Sequence, residues 1–585
     1  MYRKSTNNGF SLKAYKGSLM TLLAMDLDEK PAEGTFAGFT LCYTKPGGKK
    51  TPINNMLNFT GKPWVTGSDV SPIQLFKWVH FPGSYSQTGM LSGEYIYDAT
   101  PRYFDSGRNL LPLDDSKTAS VKIDVNDFSE GKSSIGFTRG FIKSQAFSNR
   151  YGANTKLRPA GDWLFDTNQK AGNHSSYGDF TYEDMYGWLG FNARKLIYGL
   201  LEEALGNNDI TVDVFAYDFN DPVIAKLCLE LAAKGRIRMI MDDAALHSSK
   251  TKSGKLPEED DFENRFKLVA RDNAAIFRCH FARYAHCKEI ILRKKGKPFK
   301  VLTGSSNFSY TGLYINANHV LLFENSKVAQ YYADVFDACW MQGSASVFRK
   351  SSWSNSPMKF ENNNVPGMEI NVSPHTEEYA QKMIDAITQN VTAKGTNSVL
   401  FSVMQMGANT TGSLIPALRE LHKNDKVFTY GITDKSDGAI SLYKPGKKNG
   451  LLIDAKKANR ELPPPFKKEF NLGLAHAIHH KFVVTNFNKL NAKVFCGSSN
   501  LALGGEVNNG DNLLCIKDTD VATVFAIEAL RLVDHYNFRT VEDKAEKAGL
   551  KAGVKMPARL DTTGKWVEKF FDKNDIRCIE RKLFA

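Results

Sequence analysis

His286-Cys287-Lys288, followed by Gly304-Ser305-Ser306-Asn307, recurs as His479-His480-Lys481 followed by Gly497-Ser498-Ser499-Asn500. The register is the same throughout: 479 less 286 and 500 less 307 both give 193, and in each copy fifteen residues separate Lys from Gly. A single His-x-Lys has almost no specificity, but two copies with the same downstream tetrapeptide predict two halves that fold alike and meet at one shared site. Two histidines there can divide the work of a nucleophile and an acid.

The local pattern predicts how each copy is built. Glu289 to Leu292 and Val301 to Thr303 read as strands around a turn at Lys294 to Pro298, and Phe482 to Thr485 and Val494 to Cys496 do the same around Asn488. Side chains alternate along a strand, so His and Lys share one side, and the hairpin returns Ser and Asn beside them. Each half then supplies an imidazole, an ammonium, a hydroxyl, an amide and backbone N–H donors. Doubled, the set predicts a pocket for a tetrahedral dianion, with His286 and His479 in line on opposite sides of phosphorus. Lys288, Lys481, Asn307 and Asn500 would surround the oxygens, with Ser305, Ser306, Ser498 and Ser499 in support. No metal ligand set and no cofactor motif is expected.

Outward from the motifs, the chain alternates strand and helix. A helix-period run over 191–205 leads to a strand over 210–217, a helix from Asn220-Asp221-Pro222 to about Ala233, and a strand over 236–241. The second half restates this with helix 376–389, strand 398–404, helix 414–421 and strand 426–432. Such alternation predicts mostly parallel, buried sheets. Polar inserts at 248–263 and 434–466 read as loops, either bordering the site mouth or equally well tolerated surface insertions. Residues 1–160 lack helical periodicity and show strand-like runs at 35–43, 93–97 and 120–125, which predicts an immunoglobulin-like β-sandwich. The expected division is a β-rich accessory domain over 1–160, a first half over 185–345, a second over 365–545, and a tail over 546–585 packed on the catalytic domain.

Length and composition set the bounds. The 585 residues, 42% hydrophobic and 24% charged, support two or three well-buried domains. A net charge of +13 favours anionic partners, nucleic acid or acidic lipid surfaces, and equally suits a merely soluble surface. The short apolar stretch Leu19 to Met25 is followed by Asp26 and Asp28, so no signal peptide is expected, and no run reaches the roughly 18 apolar residues of a membrane span. Eight cysteines without a CxxC pair predict neither a disulfide framework nor a zinc site, and fit a reducing cytoplasm.

The duplicated motif resembles that of the phospholipase D superfamily, His-x-Lys-x4-Asp followed by Gly-Ser and Asn, over about residues 185 to 545. The resemblance implies two α/β halves packed face to face and a metal-free phosphodiester transfer through a phosphorylated histidine. Two departures stand out, since the motif's Asp falls at Arg293 in the first copy and Asn486 in the second. The resemblance also implies an acidic residue orienting the opposite half's histidine. Its positions here are Asn318 and Asp511, again 193 apart, and only Asp511 is a carboxylate. Pairing across the halves would set Asp511 behind His286, the expected nucleophile, and leave His479 as the acid that protonates the leaving oxygen and then activates water. With Asn318 beside it, His479 should have no raised pKa, favouring mildly acidic pH for the acid step.

Substrates implied by the resemblance are nucleic acids and phospholipids. Basic runs at 293–300, 444–448 and 467–468 suit a polyanion track, and no amphipathic membrane-facing helix is evident. The expectation is a metal-independent nuclease, the alternative a phospholipase D, and the second alternative an inactive nucleic-acid-binding scaffold. Two motifs in one chain leave oligomeric state unread.

Overall fold

The computed structural model describes all residues except 56, 61–65, 83–90, 141–143, 153, 177, 249–255, 341–343, 362–363, 405–413, 423–425, 435–439, 444–450, 454–477 and 552–558. The basic runs 444–448 and 467–468 and most of the 434–466 insert lie outside the described residues.

The N-terminal region is an antiparallel sandwich. Strands β1 (Tyr2–Asn7), β2 (Phe10–Lys16), β3 (Thr21–Leu27) and β6 (Lys77–His80) form one sheet in that order. The other has the order β8 (Ala119–Val125), β7 (Gly93–Tyr103), β4 (Phe36–Thr44), β5 (Thr51–Pro52). Alternation along β8, buried at Val121, Ile123 and Val125 and exposed at Ser120, Lys122 and Asp124, turns one face onto a core with Phe10, Leu12, Phe39 and Tyr97.

The first half is an eight-stranded sheet. Its order is β9 (Phe128–Glu130), β10 (Ser133–Phe137), β16 (His319–Phe323), β15 (Lys297–Gly304), β14 (Glu289–Lys294), β11 (Ile210–Ala216), β12 (Ile237–Asp242), β13 (Ala275–Cys279). β9 and β10 fall within the expected accessory domain, yet pair antiparallel into this sheet through Ser133–Phe323 and Phe137–His319. The first-half sheet therefore begins at Phe128, far upstream of 185, with residues 138–181 inserted before helix α1 (Tyr182–Gly206).

The second half repeats the plan: β17 (Met358–Phe360), β18 (Met368–Val372), β25 (Asn512–Ile516), β24 (Lys493–Gly497), β23 (Lys481–Thr485), β19 (Ser398–Val403), β20 (Phe428–Asp434), β21 (Ile440–Tyr443), β22 (Leu451–Ile453). Six strands, β10-β16-β15-β14-β11-β12 and β18-β25-β24-β23-β19-β20, correspond in order and in pairing direction.

The sheets are mixed, which corrects the expectation of mostly parallel ones. Among the described strands, only β11-β12-β13 and β19-β20 run parallel. The motif strands are joined by a tight turn at Lys295 and Gly296, and a turn of that length allows only antiparallel pairing. Helices form where the caps predict. Asp221 accepts from Val223 and Ile224 N–H at 3.0 and 2.8 Å to start α2 (Pro222–Ala233), and Thr376 caps α4 (Glu377–Thr392). The insert over 248–263 is not wholly loop. Four acids in the first turn and Phe262 and Phe266 buried one turn apart make α3 (Glu258–Val269).

The halves meet at their motif-bearing ends. Tyr284 bridges Asn509, Ala317 bridges Ile478, and Asn512 Nδ2 donates across to Glu289 Oε1 at 2.9 Å and Thr303 Oγ1 at 2.8 Å. The tail packs chiefly on the sandwich rather than on the catalytic halves. Trp566 stacks on Phe36 and Phe570 packs on Phe76, because the sandwich leaves an apolar end that three tail aromatics cover. Phe584, at the end of the last helix, reaches Phe428 and Phe487 of the second half.

Candidate active site

Each copy of the motif is held by a glycine no other residue could replace. Gly304 and Gly497 have φ of +147° and +141°, and a Cβ would lie 2.4 Å from the carbonyl oxygens of His319 and Asn512 respectively. The Gly-Ser-Ser-Asn segments consequently run tight against the neighbouring strands β16 and β25.

His286, Lys288, His479, Lys481 and Asp511 are brought together and are nearly inaccessible, at 5, 1, 5, 0 and 1% exposure. The pairing does cross between halves. His286 Nδ1 lies 2.6 Å from Asp511 Oδ1, and His479 Nδ1 lies 2.8 Å from Asn318 Oδ1. A carboxylate and an amide oxygen only accept, so both rings carry a proton on Nδ1, and neutral His286 keeps its Nε2 lone pair for attack. Each lysine donates to its own histidine's carbonyl, Lys288 to His286 O and Lys481 to His479 O.

Burial shapes the electrostatics. It drives His286 down to about 4, against the pull of Asp511, so the ring is neutral and nucleophilic at physiological pH. Burial also lowers Lys288 to about 8 and, with Lys288 as neighbouring like charge, puts Lys481 well below the ordinary lysine range. Asp511 is held low despite burial, because His286 and Lys288 stabilise its charge. The site thus contains two depressed ammonium groups that an arriving dianion would recharge.

The serines behave differently from expectation. Ser305 Oγ donates to Asn318 Oδ1 at 2.8 Å, Ser306 Oγ to the Asn307 carbonyl at 3.2 Å, and Ser499 Oγ to Glu506, while Ser498 Oγ accepts from Asn512 N–H at 2.9 Å. The N–H groups of Ser305, Ser498 and Ser499 are spent on His319 and Asn512 carbonyls. These residues fix the loops, and the groups left for an anion are the lysines, the histidine Nε2 atoms and the asparagines. Asn307 Nδ2 points to Asp218 at 3.4 Å and its buried Oδ1 has no partner, as is true of Asn500 Oδ1.

Arg293, where the resemblance leads one to expect Asp, is not a hole in the fold. Arg293 and Arg238 share Asp213 and Asp337 at 2.6 to 2.9 Å, so the position is stabilised by a four-member ion network with the sign reversed. Asn486 instead accepts from Asn397 N–H at 3.1 Å in a φ of +57° turn. The basic run 293–300 does not border the pocket. Its turn lies some six residues along β14 from the site, roughly 20 Å at about 3.3 Å per residue, and Lys300 is tied to Glu203 and Glu324.

Several residues at the pocket went unread in the sequence. Tyr217 packs edge-on against His286 at 4.8 Å, and Asp218 beside it receives Ser309 Oγ at 2.6 Å. Asp218, His247 and Glu259 each offer a ligand atom within 4.8 Å of the others, the geometry of a possible metal set. Their chemistry favours an internal ion cluster. His247 sits 3.3 Å from Glu259 and 3.9 Å from Asp242, and against the cost of burial these acids raise its pKa, so the imidazolium is the cation that balances them. Burial and then Glu259 push Asp218 up to about 6. Spacing could not have revealed this cluster, since its members come from a strand end, a short turn of helix and α3.

Residues 201–340 match the family model described as cardiolipin synthase, PLD-like domain. No curated protein sequence matches the chain. Among solved structures, phosphatidylserine synthase of Haemophilus influenzae Rd KW20 is similar at 11% identity, over 67% of this chain and 93% of that one, with a TM-score of 0.38. Polyphosphate kinase of Porphyromonas gingivalis is 14% identical over 57% of this chain, TM-score 0.35, and the match spans only 46% of the kinase. Nuc of Salmonella typhimurium, a phospholipase D family member, is 18% identical over 25% of this chain and 88% of its own, TM-score 0.21. The family match thus identifies a PLD-like domain in the first half, over residues 201–340, and the same motif and strand order recur in the second half.

Proposed function

We propose that this protein is a phosphodiesterase working through a covalent phosphohistidine, with His286 as nucleophile and His479 as acid and base. The observation that carries the reading is the 2.6 Å contact between neutral, buried His286 and Asp511 of the opposite half. His286 Nε2 attacks phosphorus as the bond to the leaving oxygen breaks, and His479, entering the cycle as an imidazolium with a second proton on Nε2, delivers that proton to the leaving oxygen. His479 then takes a proton from water, which attacks phosphorus and releases His286. Asp511 stabilises the ring charge that the phosphoramidate acquires. Lys288, Lys481, Asn307 and Asn500 face the phosphoryl oxygens. These ammonium and amide groups supply the charge that divalent ions supply in carboxylate-lined phosphodiesterases, so we expect turnover to persist in chelator.

We infer a nucleic acid as substrate from the +13 net charge. A phospholipid is the second reading, favoured by one observation: the basic run 293–300 does not border the pocket and Lys300 is tied to Glu203 and Glu324, so this run gives a long polyanion no track into the site. Purified protein in excess EDTA, incubated with end-labelled single- and double-stranded DNA beside His286→Ala, tests the first reading. Cleavage by the native chain alone supports it. Absence of cleavage, with choline released from phosphatidylcholine vesicles, would move the assignment to the second, and turnover of neither would leave the scaffold reading.

A further inference from the structure

Arg139 follows closely on the end of β10, in the segment inserted before α1, and its side chain is enclosed without a counter-charge. The residue is 2% exposed, and neither Nε nor Nη1 has a hydrogen-bond partner among the described residues. Three rings box it in: the guanidinium carbon lies 4.3 Å from the ring centre of Phe191 and 4.8 Å from those of Phe81 and Trp188. Ring faces attract the cation, but they leave its in-plane N–H groups without acceptors. Phe191 takes its place in the box at a φ of +49° inside α1, a conformation that is costly for a bulky residue and persists only where the surroundings impose it.

The neighbouring charges deepen the deficit. Burial pulls the guanidinium down to about 9, Arg531 and Arg150 push the same way, and no carboxylate is among the groups acting on it. At neutral pH the group is still a cation. Arg531, itself buried, spends Nε and Nη2 on Glu528 and leaves Nη1 without a partner, and its guanidinium carbon lies 5.5 Å from the centre of the same Phe81 ring. Nor does the flanking chain hold an acid, since none occurs from Pro82 to Gly93 or from Gly140 to Gly161. A buried charge without a partner is among the costliest features a fold can carry, and an anion from outside the chain would relieve it.

We propose that Arg139 is the primary ligand of an anion site where the sandwich, the first half and the helix Thr519–Lys551 meet, and that the site takes a phosphate group, separate from the one between His286 and His479. Phe81 comes from the end of β6, Arg139, Trp188 and Phe191 from the first half, and Arg531 from the helix. Two arginines against the single carboxylate of Glu528 leave a net positive charge. A phosphate group carries roughly one to two negative charges, and its oxygens match the in-plane donors of a guanidinium. Nothing in this site depends on the roles proposed for His286 and His479.

The test titrates the full-length native chain and Arg139→Met with inorganic phosphate, by equilibrium dialysis in a buffer of low anion content. The variant should bind one phosphate fewer per chain, or hold one of them on the order of tenfold or more weakly, and equal binding by the two chains would overturn the proposal. Stability separates a ligand from a packing role. Without phosphate, Arg139→Met should unfold at the same or a higher denaturant concentration than the native chain, because an unpaired buried charge is gone, and phosphate should raise the native midpoint more than the variant's. A variant destabilised to the same extent with and without phosphate would mean that the guanidinium only packs on the rings, and would equally overturn it. Should Arg139→Met not fold, crystals of the native chain soaked in tungstate decide the matter: an anomalous peak within hydrogen-bond reach of Arg139 is expected, and its absence refutes the site. A short dT strand reads the source of the phosphate. If a strand supplies it, Arg139→Met binds the strand more weakly and with a salt slope lower by about one, whereas strand binding alike in both chains, or in neither, assigns the site to free phosphate.

Discussion

Replacing Asp511 by Asn changes one oxygen for one nitrogen and should nearly abolish the chemical step. Asp511 is 1% exposed and its Oδ1 lies 2.6 Å from His286 Nδ1, so the contact is a short charge-assisted bond out of water's reach. In the ground state His286 is neutral. On phosphorylation it becomes cationic, and the carboxylate's full charge then counts. Removing one partner of a buried ion pair costs about 3–5 kcal/mol, and at about 1.4 kcal/mol per decade this is a loss of roughly 10²–10⁴ in the phosphorylation rate. The amide can also present Nδ2 to His286 and pull the proton to the reactive nitrogen, which adds to the loss. Single-turnover hydrolysis of bis(4-nitrophenyl) phosphate in EDTA isolates this step without a choice between nucleic acid and lipid. The expected result is a rate at least a hundredfold below the native chain, with the variant folded by circular dichroism. A folded Asp511→Asn chain within threefold of native would refute the assignment of His286 as nucleophile supported by Asp511.

Sulfate, whose charge is constant over the range, should bind more weakly as pH rises above about 8. The free site holds Lys288 depressed to about 8, and an anion that favours its charged form must take up a proton there; calorimetric affinity flat from pH 7 to 10 would contradict this. Glu506, pushed up to about 8 by burial, is neutral in the fold below that value, so the stability it permits is lost as pH climbs from its ordinary range through 8. Glu506→Gln should therefore raise the melting temperature at pH 9 by an amount corresponding to a few kcal/mol, with little change at pH 5, and an equal effect at both would argue against a raised pKa. Arg293→Asp, which restores the superfamily's motif on paper, should destabilise by about 3 kcal/mol or more by placing an unpaired carboxylate against Asp213 and Asp337, read as a lowered denaturant midpoint, whereas a stabilised variant would show that the ion network contributes nothing.

Legibility followed the range of the interactions. The caps at Asp221 and Thr376, the second motif hairpin and the strands near 35–43 and 120–125 are decided by neighbours a few residues apart, and the sequence marks them to within one or two residues, whereas Gly93–Tyr103 and Lys297–Gly304 run longer than their local pattern. The direction of the sheets was misread, because strand-helix alternation in β11-α2-β12 says nothing of the hairpins on either side. The placement of Phe128–Phe137 was misread for a related reason: an edge strand's partner, here β16 nearly 200 residues later, leaves no local trace. The serines look like anion ligands by composition, but their hydroxyls are claimed by Asn318, Glu506 and backbone groups supplied by other elements.

By itself the sequence determined that this chain is built of two like halves, since identical spacing of His, Lys and Gly-Ser-Ser-Asn in two copies is a covalent fact. It also determined which half lacks an acid, Asn318 against Asp511. Only the tertiary structure decided that support crosses between halves, that Arg293 is neutralised by Asp213 and Asp337, and that His479 Nδ1 faces both Asn318 Oδ1 and the Ser305 carbonyl. The reason is physical. Charges, tautomers and pKa values depend on distance and burial in the folded state, and residues 286 and 511 acquire both only when the two sheets close on each other.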